Sequence, residues 1–507
     1  MPAPAAPAVS WRSEWRWLAA LLGGGFFPLP RMVVGACLAA LWVAAAAGVQ
    51  EFMLDNGMKV IVKEDRRAPI VVSQVWYKVG SSYEHDCITG VSHVLEHMMF
   101  KGTSAHPAGE FSRIIAENGG SENAFTSRDY TAYFQTMEKS RLPVSFELEA
   151  DRMRNLRLDE EEFAKEVRVV MEERRLRTED KPTSLTYEQF MATAFTSSSY
   201  RIPTIGWMDD LENMQLADLQ RWYDRWYAPN NATVVVVGDV EPADVLALAK
   251  KHFGPLKPED LAPVKPRIEP KQPGERRITV RVPAEVPYLV MGYKVPVLKT
   301  AQADWEPYAL TVLAGILDGG SSARLARELV RGSQVAASAG ASYDLYARQS
   351  SLFLLDATPA NSHTIETVEQ ALREQVLRLH KEPVAQDELQ RIKAQTIAGK
   401  VYEQDSIFYQ GMVIGQLETT GLPWRLKDEF VERIYFQLNN DFEGIQAAAG
   451  LLDDPRAGEA ERTELLTMLN EKVDEATARM RDARLHLQTE STPMAVERYP
   501  IRFGPVF

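Results

Sequence analysis

The sequence predicts an α+β chain in which one α/β unit is written twice, the first copy carrying a candidate active site and the second blank. Three observations predict it. Stretches with two-residue alternation are interleaved with stretches whose apolar residues recur at helical spacing. Their order repeats on either side of a Pro- and charge-rich segment, residues 256–276, which reads as a linker. The first copy holds the motif "HVLEH" on a helix whose counterpart in the second copy lacks both histidines and the glutamate.

The elements follow in order. "FMLDNGMKVIVKED" and "APIVVSQVWYKVG" read as strands, the first broken by an Asn-Gly turn. The helix with "HVLEH" comes next, then "ENAFTSRDYTAYFQTM", a strand pair by its alternation. A helical stretch runs from about Leu158 to Arg177, and "YAPNNATVVVVGDV" supplies a loop and a buried strand. Past the linker, "RITVRVP" and "YLVMGYKVP" read as strands and "ALTVLAGILDGGSSARLAREL" as the helix region. Laid over the first copy, Thr311 stands for His93, Ala314 for Glu96 and Gly315 for His97. "EEFAKEVRVVMEE" lies over "DELQRIKAQTIAG", which puts Gly399 opposite Glu173.

The motif helix explains its own chemistry. At helical spacing Val91, Val94, Leu95, Met98 and Met99 share one side, the stripe of a core-facing helix. His93, Glu96 and His97 fall together on the other side, and residues four apart can reach one ion. Zinc takes two imidazole nitrogens and a carboxylate and keeps one position open where it is catalytic, and a neighbouring glutamate can then serve as general base. The chain has 8 histidines, and a chance H-x-x-E-H is expected on the order of 0.01 times in such a composition. A third ligand should be a carboxylate on a rigid element. Glu166 and Glu173 share a face two turns apart, with Glu172 pointing about 100° away, and spacing alone does not choose between the first two.

Bulk properties bound the rest. With 507 residues and 45% hydrophobic composition the chain can bury an ample core in two or more domains. A net charge of −13 without a long basic run argues against a nucleic-acid partner. "RMVVGACLAALWVAAAAGVQEF" has a basic residue, a short apolar run and a small-residue site near Ala47, the pattern of a secretory signal, with residues 1–31 an upstream extension. A lipoprotein site at Cys37 is the weaker alternative, because it leaves an apolar segment on the mature side. Export to the periplasm is the expectation. Only Cys87 then remains, so no intramolecular disulfide forms, and no stable membrane span is expected after signal removal.

On "HVLEH", "ENAFTSRDYTAY", "KEVRVVMEE" and "YAPNNATVVVVGD", residues of about 50 to 430 resemble the pitrilysin, insulin-degrading and mitochondrial-processing zinc peptidases with the inverted H-x-x-E-H motif. The resemblance implies two homologous α/β domains, each an antiparallel sheet backed by helices, enclosing a chamber. It implies one Zn2+ per chain on His93, His97 and Glu173, Glu96 as general base, and Glu166 as an outer carboxylate that orients a ligand. It also implies that "NAFT" (Asn123, Ala124, Phe125 and Thr126) is an edge strand on which a peptide substrate lies as an added strand.

The resemblance fails in two places. The family's second domain contributes an Arg and a Tyr to the developing oxyanion. Arg331 stands at the Arg place, but Ala337 and Ser338 fall where the Tyr belongs, with Tyr343 nearby and displaced. That gap makes a homo- or hetero-dimer with a chain supplying the pair an expected alternative. After about Ile434 no copy of "RWYAPNNATVVVVGD" is found. Leu466, Leu469, Val473, Ala476, Met480, Ala483 and Leu487 instead alternate at 3 and 4 spacing, a divergent helical segment over 438–507. Domains are expected at 50–255 (catalytic) and 277–437 (metal-free). The expected function is zinc-dependent cleavage of short or unfolded peptides. The alternative is a non-catalytic scaffold or partner-dependent subunit.

Overall fold

The computed structural model describes residues 48–265 and 267–430. The signal segment, Cys37 and the heptad stretch lie outside the described residues. The first half is a six-stranded sheet in the order β1-β2-β6-β3-β5-β4. Its strands are β1 (Val49–Met53), β2 (Lys59–Glu64), β3 (Ile70–Tyr77), β4 (Ser121–Thr126), β5 (Thr131–Glu138) and β6 (Ala232–Gly238). The expected Asn-Gly turn joins β1 to β2, with Gly57 at φ +83°, a left-handed conformation that costs glycine nothing. The ladders are antiparallel except β2–β6, which is parallel because helices intervene between those strands in the chain.

Helices α1 (Val91–Met98), α2 (Glu110–Glu117), α3 (Leu142–Asn155), α4 (Glu160–Arg174), α5 (Pro182–Ala194), α6 (Met208–Asn213), α7 (Leu216–Trp226) and α8 (Pro242–His252) belong to the same half. Alternation divides the faces of the sheet. Val60, Val62, Val75, Val234 and Val236 pack against the apolar stripe of α1. Ile61, Trp76, Val235 and Val237 turn the other way. Both faces are covered, so β6 is buried along its whole length and its sequence is an unbroken apolar run.

The second half contributes α9 (Glu306–Asp318), α10 (Ile365–Lys381), α11 (Gln386–Glu403) and α12 (Ile407–Thr420) around a three-stranded antiparallel sheet, β7 (Leu289–Val295), β8 (Ala336–Ser342) and β9 (Ser351–Pro359), in the order β7-β9-β8. That order repeats β3-β5-β4. The expected strand "RITVRVP" does not form. Apart from Pro266, residues 257–288 carry neither helix nor strand. The reason is pairing: β2, its counterpart, hydrogen-bonds to β1 and β6, and among the described residues the second half has no strand equivalent to β6. A cleft of about 3170 Å³ follows β7 along this segment, and none of the motif side chains lines it.

Helix α12 lies across the first sheet, its Ile414 packed with Trp76 and Val235. Two glycines allow this approach. A Cβ on Gly415 would stand 2.0 Å from the Trp76 ring, and one on Gly411 would stand 2.7 Å from the Gln74 carboxamide. Gly415→Val is therefore expected to destabilise the protein by about 1–3 kcal/mol in urea unfolding, as overpacked cores do. Gly399→Ala, at an exposed position of α11 where a Cβ meets nothing within 4 Å, is expected to stabilise by about 0.5–1 kcal/mol. Equal effects at the two positions would contradict this packing.

Candidate metal centre

Helix α1 is held at its start from outside. Gly90 adopts φ +88° and has no side chain to cap the helix, so the buried Glu84 carboxylate accepts N–H bonds from Gly90 (2.7 Å) and Ser92 (2.9 Å). The Thr89 hydroxyl bonds to Asp210, and Trp222 Nε1 donates to Ser92 Oγ at 3.2 Å. The stripe Val91, Val94, Leu95, Met98 and Met99 is at most 1% exposed. Burying such side chains is worth about 1.5–3 kcal/mol each, so the helix cannot rotate, and His93, Glu96 and His97 must face the opposite side.

That side meets α4. Asp159 caps α4 by accepting from the amides of Glu161 and Glu162, and Phe163, Val167 and Val170 seat it in the core. The helix then presents Glu166 and Glu173 to α1. Glu173 Oε2 lies 3.4 Å from His97 Nε2, and Glu173 Oε1 lies 3.8 Å from His93 Nε2. One donor atom from each of His93, His97 and Glu173 falls within 4.8 Å of the others, and no second such group occurs among the described residues. Glu166, the alternative that spacing left open, meets His97 at Nδ1 and not at the cluster, and Glu172, already set apart by direction, is 59% exposed and pairs with Arg175. The structure thus separates two adjacent glutamates that spacing had separated only by direction.

The surroundings suit a cation. His97 Nδ1 donates to Glu166 Oε2 at 3.1 Å, which turns Nε2 toward the cluster. Burial, with His97 and Arg177 adding to it, pushes the His93 imidazole down to about 3, so it is neutral, the form that binds metal. Its Nδ1 is buried without a hydrogen-bond partner. Two imidazoles and a carboxylate fit zinc and leave it one open position. Burial raises the Glu96 carboxyl, opposed by the Thr126 hydroxyl, which donates to Oε2 at 2.5 Å, and by His97. A carboxyl held above its usual range beside a metal is suited to exchanging protons.

The substrate expectations map unevenly. β4 pairs only with β5, and its other edge is open among the described residues. Asn123 is exposed there, its Oδ1 taken by the Ala124 amide at 2.8 Å. Ala124 packs toward the core beneath α1, and Phe125 stacks edge-on against Trp76. Thr126, grouped with the peptide-binding residues by sequence, spends its hydroxyl on Glu96 instead. Arg331 lies on a π-helical stretch, Leu325–Gly332, and donates to the Ser321 carbonyl; Tyr343 donates to the Pro296 carbonyl at 2.7 Å. Both are bonded within the second half.

Sequence reasoning missed three residues. Lys101 Nζ lies 2.6 Å from Glu166 Oε1, and Arg177 Nη1 lies 2.6 Å from Glu173 Oε1. Each stands four residues after a motif side chain, which is a readable signal. Glu84 had none, because the helix it caps begins seven residues later. In the second half the blank is packed shut: Thr311 bonds to the Pro307 carbonyl of its own helix, and a Cβ on Gly315 would stand 2.8 Å from Ile392 of α11.

Two family models match the chain. Residues 59–206 match the family model described as insulinase (peptidase family M16), and residues 213–396 match the peptidase M16 inactive domain. The zinc protease PqqE of Helicobacter pylori is 37% identical over 344 residues, spanning 67% of this chain and 76% of that protein. This chain belongs to peptidase family M16. The crystal structure of a protease from Helicobacter pylori superposes with a TM-score of 0.74 at 32% identity, covering 79% of this chain and 96% of that one. The periplasmic protease PqqL from Escherichia coli shares the fold (TM-score 0.66, 18% identity), covering 83% of this chain and 50% of that one. The family is one of zinc proteases, and its two-domain α+β fold is the fold of this chain. Among the described residues no helix is long and apolar enough to cross a membrane.

Metal analysis of purified, zinc-dialysed variants checks the ligand set. His93→Ala and Glu173→Gln are expected to lose stoichiometric zinc, Glu172→Gln to keep it, and Glu166→Gln to bind it about 10–100-fold more weakly. Zinc retained by Glu173→Gln and lost by Glu172→Gln would reverse the assignment.

Proposed function

We propose that this protein is a zinc endopeptidase of short or unfolded peptides, with one zinc per chain held by His93, His97 and Glu173. The observation that carries the reading is the convergence of those three donors beside a buried, hydrogen-bonded Glu96. Bound zinc would polarise the peptide carbonyl and acidify a water. Glu96 would accept at its carboxylate a proton from the water that adds to the peptide carbonyl, and return it to the amine released as the C–N bond breaks. Thr126 holds one carboxylate oxygen of Glu96, so the other faces the reacting atoms. Glu166 and Lys101 hold His97 in one orientation. The open edge of β4 binds the peptide backbone as an added strand, with Asn123 at that edge. The N-terminal signal pattern supports export, and the periplasm is the proposed compartment. A two-domain chamber that admits extended chains and excludes folded ones accords with the family fold.

A second reading rests on Arg331 and Tyr343, whose polar groups are bonded within the second half. It makes the chain a subunit whose partner supplies the oxyanion donors.

Hydrolysis of a pool of unstructured peptides by the zinc-loaded protein tests both readings. Wild type is expected to cleave, and zinc-loaded Glu96→Gln to be slower by about 10²–10⁴-fold with its zinc retained. No cleavage by zinc-loaded wild type would favour the partner-dependent subunit. The Thr126 bond lowers the Glu96 pKa, so Thr126→Val is expected to move the acidic limb of kcat/KM to higher pH. An unmoved limb would mean that Thr126 does not act on the base.

A further inference from the structure

The two halves meet in a polar cluster that the proposed chemistry does not use, centred on Arg348 of the second half. Its Nε donates to Asp129 Oδ1 at 3.1 Å, its amide to Asp129 Oδ2 at 3.0 Å, and its Nη2 to Ser82 Oγ at 2.6 Å. Its guanidinium lies over the Tyr83 ring, 4.1 Å from the centroid. Ser82 Oγ also donates to Asp129 Oδ1 at 2.7 Å, and the Tyr200 hydroxyl donates to Asp129 Oδ2. The Arg348 and Asp129 side chains are 16% and 6% exposed, so this pair is poorly screened by water.

Its position gives the cluster its meaning. Asp129 sits in the turn that follows Thr126, the residue bonded to Glu96. Ser82 and Tyr83 immediately precede Glu84, the residue that caps α1. The backbone already ties the two segments: the Ser81 amide donates to the Ser127 carbonyl at 3.2 Å and the Ser82 amide to the Arg128 carbonyl at 2.7 Å. One guanidinium from the other half therefore reaches both the β4–β5 turn, at Asp129, and the Ser82–Tyr83 segment that leads into Glu84, the cap of the motif helix.

We propose that Arg348 is a positioning residue through which the metal-free half holds Thr126, and hence Glu96, in working geometry. This rests on the peptidase reading for its kinetic consequence, but its structural consequence stands apart from it. A planar, always-charged fork suits the role, because it meets a carboxylate and a hydroxyl at once while stacking on an aromatic ring.

The test uses the full chain, zinc-loaded, with unstructured peptides. Arg348→Ala is expected to keep its zinc, to lose about tenfold in kcat, and to move the acidic limb of the pH profile as Thr126→Val does. The double variant Arg348→Ala/Thr126→Val is expected to be no slower than the slower single, since both act on one link. Because Arg348→Ala leaves a buried carboxylate unpaired, Arg348→Gln/Asp129→Asn serves as the charge-free form if the first does not fold, with the same expectation. A lowered melting temperature with unchanged kcat and pH profile would make Arg348 merely structural and overturn the proposal. So would losses that multiply in the double variant. Hydrogen exchange separates this inference from the peptidase reading. Faster exchange at the amides of 126–131 and 90–93 in Arg348→Ala is expected even if wild type proves inactive, and unchanged exchange there overturns the inference whatever the activity.

Discussion

The site depends on the burial of one helix face. Four apolar side chains of α1, and Met99 just after it, are locked against β2, β3 and β6, and the remaining surface of that helix can only point at α4. The motif is thus aimed by hydrophobic packing, not by the polar groups that it displays. Helix α4 obeys the same constraint through Phe163, Val167 and Val170, so the packing of the two helices delivers imidazoles and carboxylate to one point. A preorganised donor set of this kind spares the ordering cost that a flexible site meets on binding.

The second half shows what the same scaffold does when the ligands are gone. Gly315 admits Ile392 where the second histidine would stand, so space that serves chemistry in one copy serves packing in the other. It also has a part of its own. Through Gly411 and Gly415, α12 covers the face of the first sheet that α1 does not, and burying both faces of β6 requires it. Stability of the metal-bearing half is therefore shared across the chain, which is why a metal-free copy can be retained for reasons other than catalysis.

Much of this was legible in the sequence where one residue's neighbours are local. The Asn-Gly turn, the strands of the first sheet and the motif face all follow from spacing within a few residues, and the blank counterpart from laying one copy over the other. Reading failed where an element depends on a distant partner. "RITVRVP" has the alternation of a strand but, among the described residues, no strand beside it to complete a ladder. The helix predicted to Arg177 ends earlier, at Arg174, and continues as a π-helical turn, Arg175–Glu179, from which Arg177 reaches Glu173. Thr126 looked like a peptide contact because its strand is an edge, and only the approach of α1 gives its hydroxyl to Glu96. The choice between Glu173 and Glu166 likewise waited on where α1 meets α4, which sets Glu173 beside both imidazoles and Glu166 on His97 Nδ1.

The most direct test of the account is anomalous diffraction at the zinc edge from crystals of the zinc-loaded protein. The account predicts one strong peak within about 2.0–2.2 Å of a nitrogen of His93, a nitrogen of His97 and an oxygen of Glu173, with His97 still bonded to Glu166. A peak bound elsewhere, or none at this cluster with zinc present in the crystal, would contradict it.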